Sequence, residues 1–373
     1  MKLVLVLLAG ALGLAAASAS AAPTPIGRAS PVVLVQTNEP GGNHVVVYDR
    51  SPTGVLSPAG IYSTGGNGGA AAGAPSDKLA SQGSLLYDRG HDLLIGVNAG
   101  SDSVYAFGVN GDRLSLSDVV PSGGEFPVSV AVRGNLLYVL NAGGNGNVNG
   151  FRIAGGKLHP LPGSTRSLGL GNTNPPNFLT SPGQVGFTPD GSKLIVTTKA
   201  STSAVDVFAM DPNGRPSAAP VVNPSATPVP FAFTFQPETG RLVDGEAGAS
   251  SVTTYAIANK GTLADPRSLS DGQAALCWIT RAGDYYYVSN TGSNTVSGYR
   301  LAADGTPSLV GPSGVVATTE PGTIDSTAAG SFLYVQTGIG GTVDEFRVKT
   351  DGSLMQVGTV TGLPPGMEGI AAS

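Results

Sequence analysis

Glu246, in "DGEAG", and Lys199, in "TTKAS", stand at matching ends of two copies of a repeated phrase. A carboxylate can move a proton and an ammonium can hold a developing anion, so the two together could serve acid–base chemistry on a polar substrate. The other copies place Thr37, Asn98, Asn141, Thr198, Asn290 and Thr337 near where Glu246 falls. Asn98, Asn141 and Asn290 are therefore candidate ligand contacts. The simpler reading has Asn and Thr bonding the backbone of their own hairpin loop. Further acids sit in loops, Glu39, Glu125, Glu320 and Glu368, with Asp325 on an inner strand. If they ring a channel mouth, Glu125, Glu320 and Asp325 could bind a cation or a cationic ligand; solvated loop acids are the plainer alternative.

Other reactive types offer less. His44, His91 and His159 lie in three unrelated strand or turn contexts, so no metal site and no cofactor is expected. "DPNG" and "TDGS" open like calcium loops but lack the downstream bidentate Glu, which favours turns. Cys277 is the single cysteine, so no intramolecular disulfide can form. Alternation in "ALCWIT" puts it on one face with Ile279, as a small buried hydrophobe rather than a nucleophile.

The elements that must carry these residues are strands. The phrase runs "VVLVQTNEPGGNHVVVY", "LLIGVNAGSDSVYAF", "LLYVLNAGGNGNVNGF", "KLIVTTKASTSAVDVF", "RLVDGEAGASSVTTY", "YYYVSNTGSNTVSGY" and "FLYVQTGIGGTVDEF". Its closing aromatics are Tyr48, Phe107, Phe151, Phe208, Tyr255, Tyr299 and Phe346, at spacings of 59, 44, 57, 47, 44 and 47. Apolar residues alternate at two rather than at three and four, and periods near 45 with strand–turn–strand content indicate propeller blades of four strands. The expectation is an all-β, seven-bladed propeller. Each phrase supplies the second and third strands, an Asn/Asp-Gly turn follows, and an inner strand precedes it, with "LASQGSLLYDRG" as a diverged inner-strand copy. The first phrase has no inner strand ahead of it. "EGIAAS" at the C-terminus reads as the missing one, so blade one should pair the two chain ends and close the ring.

Two long connections, "STGGNGGAAAGAPSDK" and "STRSLGLGNTNPPNFLTSPG", join fourth strands to the next inner strands and fall on the rim that also carries the phrase loops. Long loops gathered on one rim are where a site is expected. The N-terminus reads as a secretory signal peptide over 1–22, one Lys and an apolar run before "ASA", leaving 23–373 as one exported propeller domain. No later segment is apolar enough to span a bilayer as a helix. Net charge is −5 with 12% charged residues and no basic run, which argues against nucleic acid. A monomer is expected.

At "SPGQVGFTPDGSKLIVTTKAS", "SNTGSNTVSGYRLAADG" and "FLYVQTGIGGTVDEFRVKTDGSL" the chain resembles the seven-bladed lactonase family, which includes 6-phosphogluconolactonase-type propellers and 3-carboxy-cis,cis-muconate cyclases. The resemblance implies a His where this chain has Gly183, in "PGQV", and an Arg–His pair where it has Phe231 and Ala232; the family acid is retained as Glu246. Lactone hydrolysis needs a base and oxyanion donors, and cyclisation needs cations and a proton donor. The expectation is a secreted binding or scaffold propeller contacting a small molecule, glycan or protein at the loop-rich rim. The alternative is a lactone hydrolase or muconate-type cyclase with Glu246 as acid/base and Lys199 as its cation.

Overall fold

The computed structural model describes residues 31–373, so the signal peptide expected over 1–22 lies outside the described residues. Seven antiparallel sheets form the blades. Blades two to seven begin with inner strands Leu85–Asp88, Pro127–Arg133, Gln184–Phe187, Pro230–Phe235, Leu276–Ala282 and Thr323–Ala329. Blade one takes its inner strand, Ile370–Ala372, from the chain's end, with Val33, Leu34 and Val35 opposite Ala372, Ala371 and Ile370. Val32 and Ser373 extend this closure through two further hydrogen bonds of 2.9 and 3.0 Å. The ring is closed by the chain ends, as the repeat count requires.

The alternation has a simple cause. Each blade is sandwiched between two others, so successive side chains of a strand enter opposite interfaces. In the second strand of blade six, Tyr286 and Val288 pack with Val243 and Val252 of blade five. Tyr287 packs with Leu333 and Val335 of blade seven. The turn reading of "DPNG" also holds in the geometry: Asp211 Oδ1 accepts the N–H groups of Asn213 and Arg215, both at 2.8 Å, and Gly214 supplies a φ of 79°.

Two expectations need correction. Within "LASQGSLLYDRG" only Leu85–Asp88 is an inner strand. The preceding Leu79–Gly83 run instead bonds inner-strand segments around the whole ring: Leu79 N–H to Glu368 Oε2 (2.7 Å), Ser81 Oγ to Val128 O (2.8 Å), Trp278 Nε1 to Ser81 O (2.8 Å), Gln82 N–H to Gly183 O (3.0 Å) and Ile279 N–H to Gln82 Oε1 (2.9 Å). Partners in blades one, three, four and six can be reached together only from the axis, so this run plugs the central channel. Its backbone groups do not alternate toward one neighbour, which is why it is not a strand. The second correction concerns "ALCWIT". A bulge at Cys277 interrupts the ladder between Leu276 and Trp278, so strict alternation fails there. Inner strands of blades three, five, six and seven are all bulged near this same end. Bulges re-aim side chains, and here they do so around the channel mouth.

Among the described residues no helix is long and apolar enough to cross a membrane.

Candidate functional site

The two long connections meet over the channel. Ala72 and Asn177 form a parallel bridge, supported by Ala72 N–H to Pro176 O (2.8 Å) and Phe178 N–H to Ala72 O (3.1 Å). Beneath this crossing lies a cavity of about 230 Å³. The first connection contributes Asp77, the plug Ala80, and the second connection Phe178 and Leu179. Blades four to six add Lys199, Phe231, Ala247, Cys277 and Trp278. Phe231 and Cys277 are the bulged residues of their inner strands, so the bulges are what turn them into the cavity wall. Phe231 also stacks on Trp278, at 4.9 Å between centroids and 59° between planes.

Lys199 is 1% exposed and has left-handed backbone, φ 47°, which is uncommon for a lysine. Its Nζ donates to Ala80 O (2.5 Å), Phe178 O (2.6 Å) and Ser181 Oγ (2.9 Å) and sits 4.9 Å from the Phe231 ring centre. Three acceptors and an aromatic face suit an ammonium, which has three hydrogens, better than a neutral amine. The counter-charge is Asp77, 7% exposed, whose Oδ1 accepts Leu79 N–H (3.1 Å) and Ala80 N–H (2.6 Å). Burial pushes the Asp77 carboxyl up and the Lys199 amine down, and each charge counteracts the other's shift. Burial is the larger influence on both groups, and Lys199 makes no direct salt bridge among the described residues, so the two charges act on each other only at longer range. Burial, reinforced by Asp77, also pushes the Cys277 thiol up to about 12, far from nucleophilic thiolate chemistry.

The expected Lys199–Glu246 ion pair is absent. Glu246 is fully buried, does not line the cavity, and faces five hydroxyl groups: Ser225 and Tyr255 on Oε1, Thr227, Thr253 and Ser251 on Oε2. All seven members of the recurring polar position bond their own second-to-third-strand hairpin. Asn98 reaches Ser103 Oγ (3.4 Å), Asn141 reaches Asn147 Oδ1 (2.9 Å) and Asn290 reaches Ser297 Oγ (2.9 Å). Thr37 accepts from His44 N–H (3.0 Å), Thr198 donates to Ala204 O (2.8 Å) and Thr337 accepts from Thr342 N–H (3.2 Å). Glu246 is the acidic version of the same clamp, and its partners Ser251 and Thr253 are the hairpin's own.

Nor do the acids form a ring. Glu39, Glu125 and Glu320 are exposed, with Glu125 bordering a separate groove at blade three. Asp325 and Glu368 are buried. Burial pushes the Asp325 carboxyl up to about 7, while Glu368 is occupied by Leu79 and Ser81 of the plug. Among the described residues no group of three or more metal-type ligands converges.

Gly183 has a geometric reason to be glycine. A Cβ there would lie 2.3 Å from Phe231 O and 2.8 Å from Thr197 Oγ1, and the Gly183 carbonyl holds Gln82 of the plug. A side chain there would have to push aside the Phe231 carbonyl of the blade-five inner strand.

Sequence reasoning missed Asp77, Phe178 and Trp278. The first two lie in connections without periodicity, and only the crossing brings them to blades five and six. The alternation break at Cys277 was the one available signal for the third.

No protein-family model matches the sequence, and the search of curated proteins found no match either. Solved structures do match in fold. A Bacteroides uniformis protein provisionally named a 6-phosphogluconolactonase is 16% identical, with a TM-score of 0.70 over 93% of this chain and 100% of that one. A protein from Lactobacillus plantarum is 18% identical, with a TM-score of 0.70 over 92% and 98% of the two chains. The periplasmic gluconolactonase of Pseudomonas aeruginosa is 16% identical, with a TM-score of 0.67 over 91% and 98%. Together with the ring of seven four-stranded blades, these likenesses show that the chain has the fold of the seven-bladed lactonase-type propellers.

Proposed function

We propose that this propeller is a secreted binding protein that captures a small molecule in the cavity beneath its crossed connections. The observation that carries the reading is the composition of that cavity. Apolar side chains wall it, its one ammonium is already saturated by protein acceptors, and Phe231 occupies a position where the family resemblance implies a cation. Such a wall favours burial of apolar ligand surface and provides no free cation for a phosphate or carboxylate. Glu246, held in its own clamp away from the cavity, is not placed to serve as the base that the alternative hydrolase reading assigns to it.

Trp278 is the single tryptophan of the chain and lines the cavity, so its emission reports occupancy. Titration with a panel of neutral ring compounds should shift that emission, and Ala247→Leu, which fills the space, should abolish the shift. The same panel should include lactones and muconates, assayed for turnover in the wild type and in Glu246→Gln. Lactone opening faster than in buffer, lost in Glu246→Gln, would overturn the binding reading and favour the hydrolase.

A further inference from the structure

The wall of the cavity selects a narrower class of ligand than binding alone requires. Resting on the binding reading above, we infer that the ligand is wholly apolar: a neutral hydrocarbon of one ring with short alkyl branches, such as an alkylbenzene or a monocyclic terpene, taken up in preference to its hydroxylated counterpart.

The surface that the wall presents is almost entirely apolar, and its polar side chains are engaged within the protein. Lys199 Nζ gives its three hydrogens to Ala80 O, Phe178 O and Ser181 Oγ. Thr291 donates its hydroxyl hydrogen to Thr323 O at 2.8 Å. Asp77 Oδ1 accepts the N–H groups of Leu79 and Ala80, and its other oxygen is enclosed by protein. Ser76, the remaining hydroxyl on the wall, is 4% exposed and offers little surface to a ligand. Backbone donors are engaged too, with Ala247 N–H on Val229 O (2.8 Å) and Gly248 N–H on Pro228 O (3.0 Å). A ligand hydroxyl would leave water here and find no bond in exchange, which weakens binding. A charged ligand fares worse, because a buried ion without a partner is costlier still.

Size and shape narrow the class further. An apolar cavity of about 150 Å³ stays dry and takes benzene. Scaled in proportion, the cavity of about 230 Å³ here holds about nine carbons, a ring with short branches. The Phe231 and Trp278 rings, 4.9 Å apart, supply aromatic contact. Leu179, on the same wall, is 48% exposed, so apolar surface continues from the cavity to solvent and marks the way in.

Matched pairs in which a methyl becomes a hydroxyl test this on the purified chain. p-Cymene against p-isopropylphenol places the hydroxyl at the ring end, and tert-butylbenzene against cumyl alcohol places it at the branched end. With calorimetry and Trp278 emission as readouts, each hydrocarbon should bind about tenfold or more tighter than its partner. Ser76→Ala should leave that ratio unchanged. Triisopropylbenzene, equally apolar but too large, should not bind. Equal or tighter binding of the hydroxyl member of either pair, or a ratio that shifts in Ser76→Ala, would overturn the apolar assignment while leaving the binding reading intact. Binding of the oversized hydrocarbon would locate the signal outside the cavity and overturn the assignment as well. If no member of either pair gives an isotherm or moves Trp278 emission, the binding reading itself fails.

Discussion

Replacing Lys199 by Met tests whether the buried Lys199 side chain holds the roof of the cavity. Methionine retains the length and the contact with the Phe231 ring, so little space is opened. The ammonium, however, ties two other pieces of chain to blade four: the plug through Ala80, and the second connection through Phe178 and Ser181. Its loss leaves two buried carbonyls without that donor, each worth about 1–3 kcal/mol. It also removes the positive charge that favours the Asp77 carboxylate. These effects share one network and do not add, so about 4 kcal/mol is the expected total. Denaturant unfolding of Lys199→Met, Asp77→Asn and the double variant would measure it. The double variant should recover about 2 kcal/mol relative to Lys199→Met, because the carboxylate that the cation favoured is gone. Limited proteolysis should also find the 64–83 and 168–183 connections opened in Lys199→Met. If Lys199→Met unfolds within about 1 kcal/mol of wild type, or if Asp77→Asn brings no recovery, the account of Lys199 as a tie whose charge is coupled to Asp77 is wrong.

Gly183→His restores the residue implied by the family resemblance, but its Cβ would meet Phe231 O at 2.3 Å. A loss of at least about 2 kcal/mol without any gain of lactone hydrolysis is expected, and a wild-type unfolding midpoint would show that the blade-five strand at Phe231 can yield. Deleting Gly366–Ser373 removes the inner strand of blade one and the Glu368 contacts to the plug, so the melting temperature should fall sharply; an unchanged melt would contradict the closure. Burial pushes the Asp206 carboxyl up to about 6, and its Oδ1 has no partner. From about pH 4 to 6 the unfolded chain therefore gives up a proton that the folded chain keeps, and stability falls as pH rises, by roughly 3 kcal/mol in all. Asp206→Asn should flatten that slope in urea unfolding across the window, and an unaltered slope would assign it elsewhere.

The repeat was legible because a blade's two buried faces impose period-two alternation on every copy, and seven phrases with one missing inner strand imply closure by the chain ends. Such regularities follow from local backbone geometry, so Val32–Gln36 pairing with Ile370–Ala372 could be anticipated without coordinates. The polar position near the end of each second strand was also visible, together with its plain role as a hairpin clamp. The site was not. Asp77 meets Lys199 only because Leu79–Gly83 leaves its blade to fill the axis, and no periodic pattern marks a segment whose partners lie in four different blades. Phe231 and Cys277 line the cavity because bulges re-aim them, and a bulge changes a side chain's direction with only a faint trace in the order of residue types. Glu246 and Lys199, placed alike by the repeat, are separated by which interface each side chain enters: one into hydroxyls within its own blade and the preceding connection, the other beneath the crossed connections. Strand order and closure were set by the periodic sequence, while the cavity was decided by how aperiodic segments pack across the ring, where the governing contacts join residues more than a hundred positions apart.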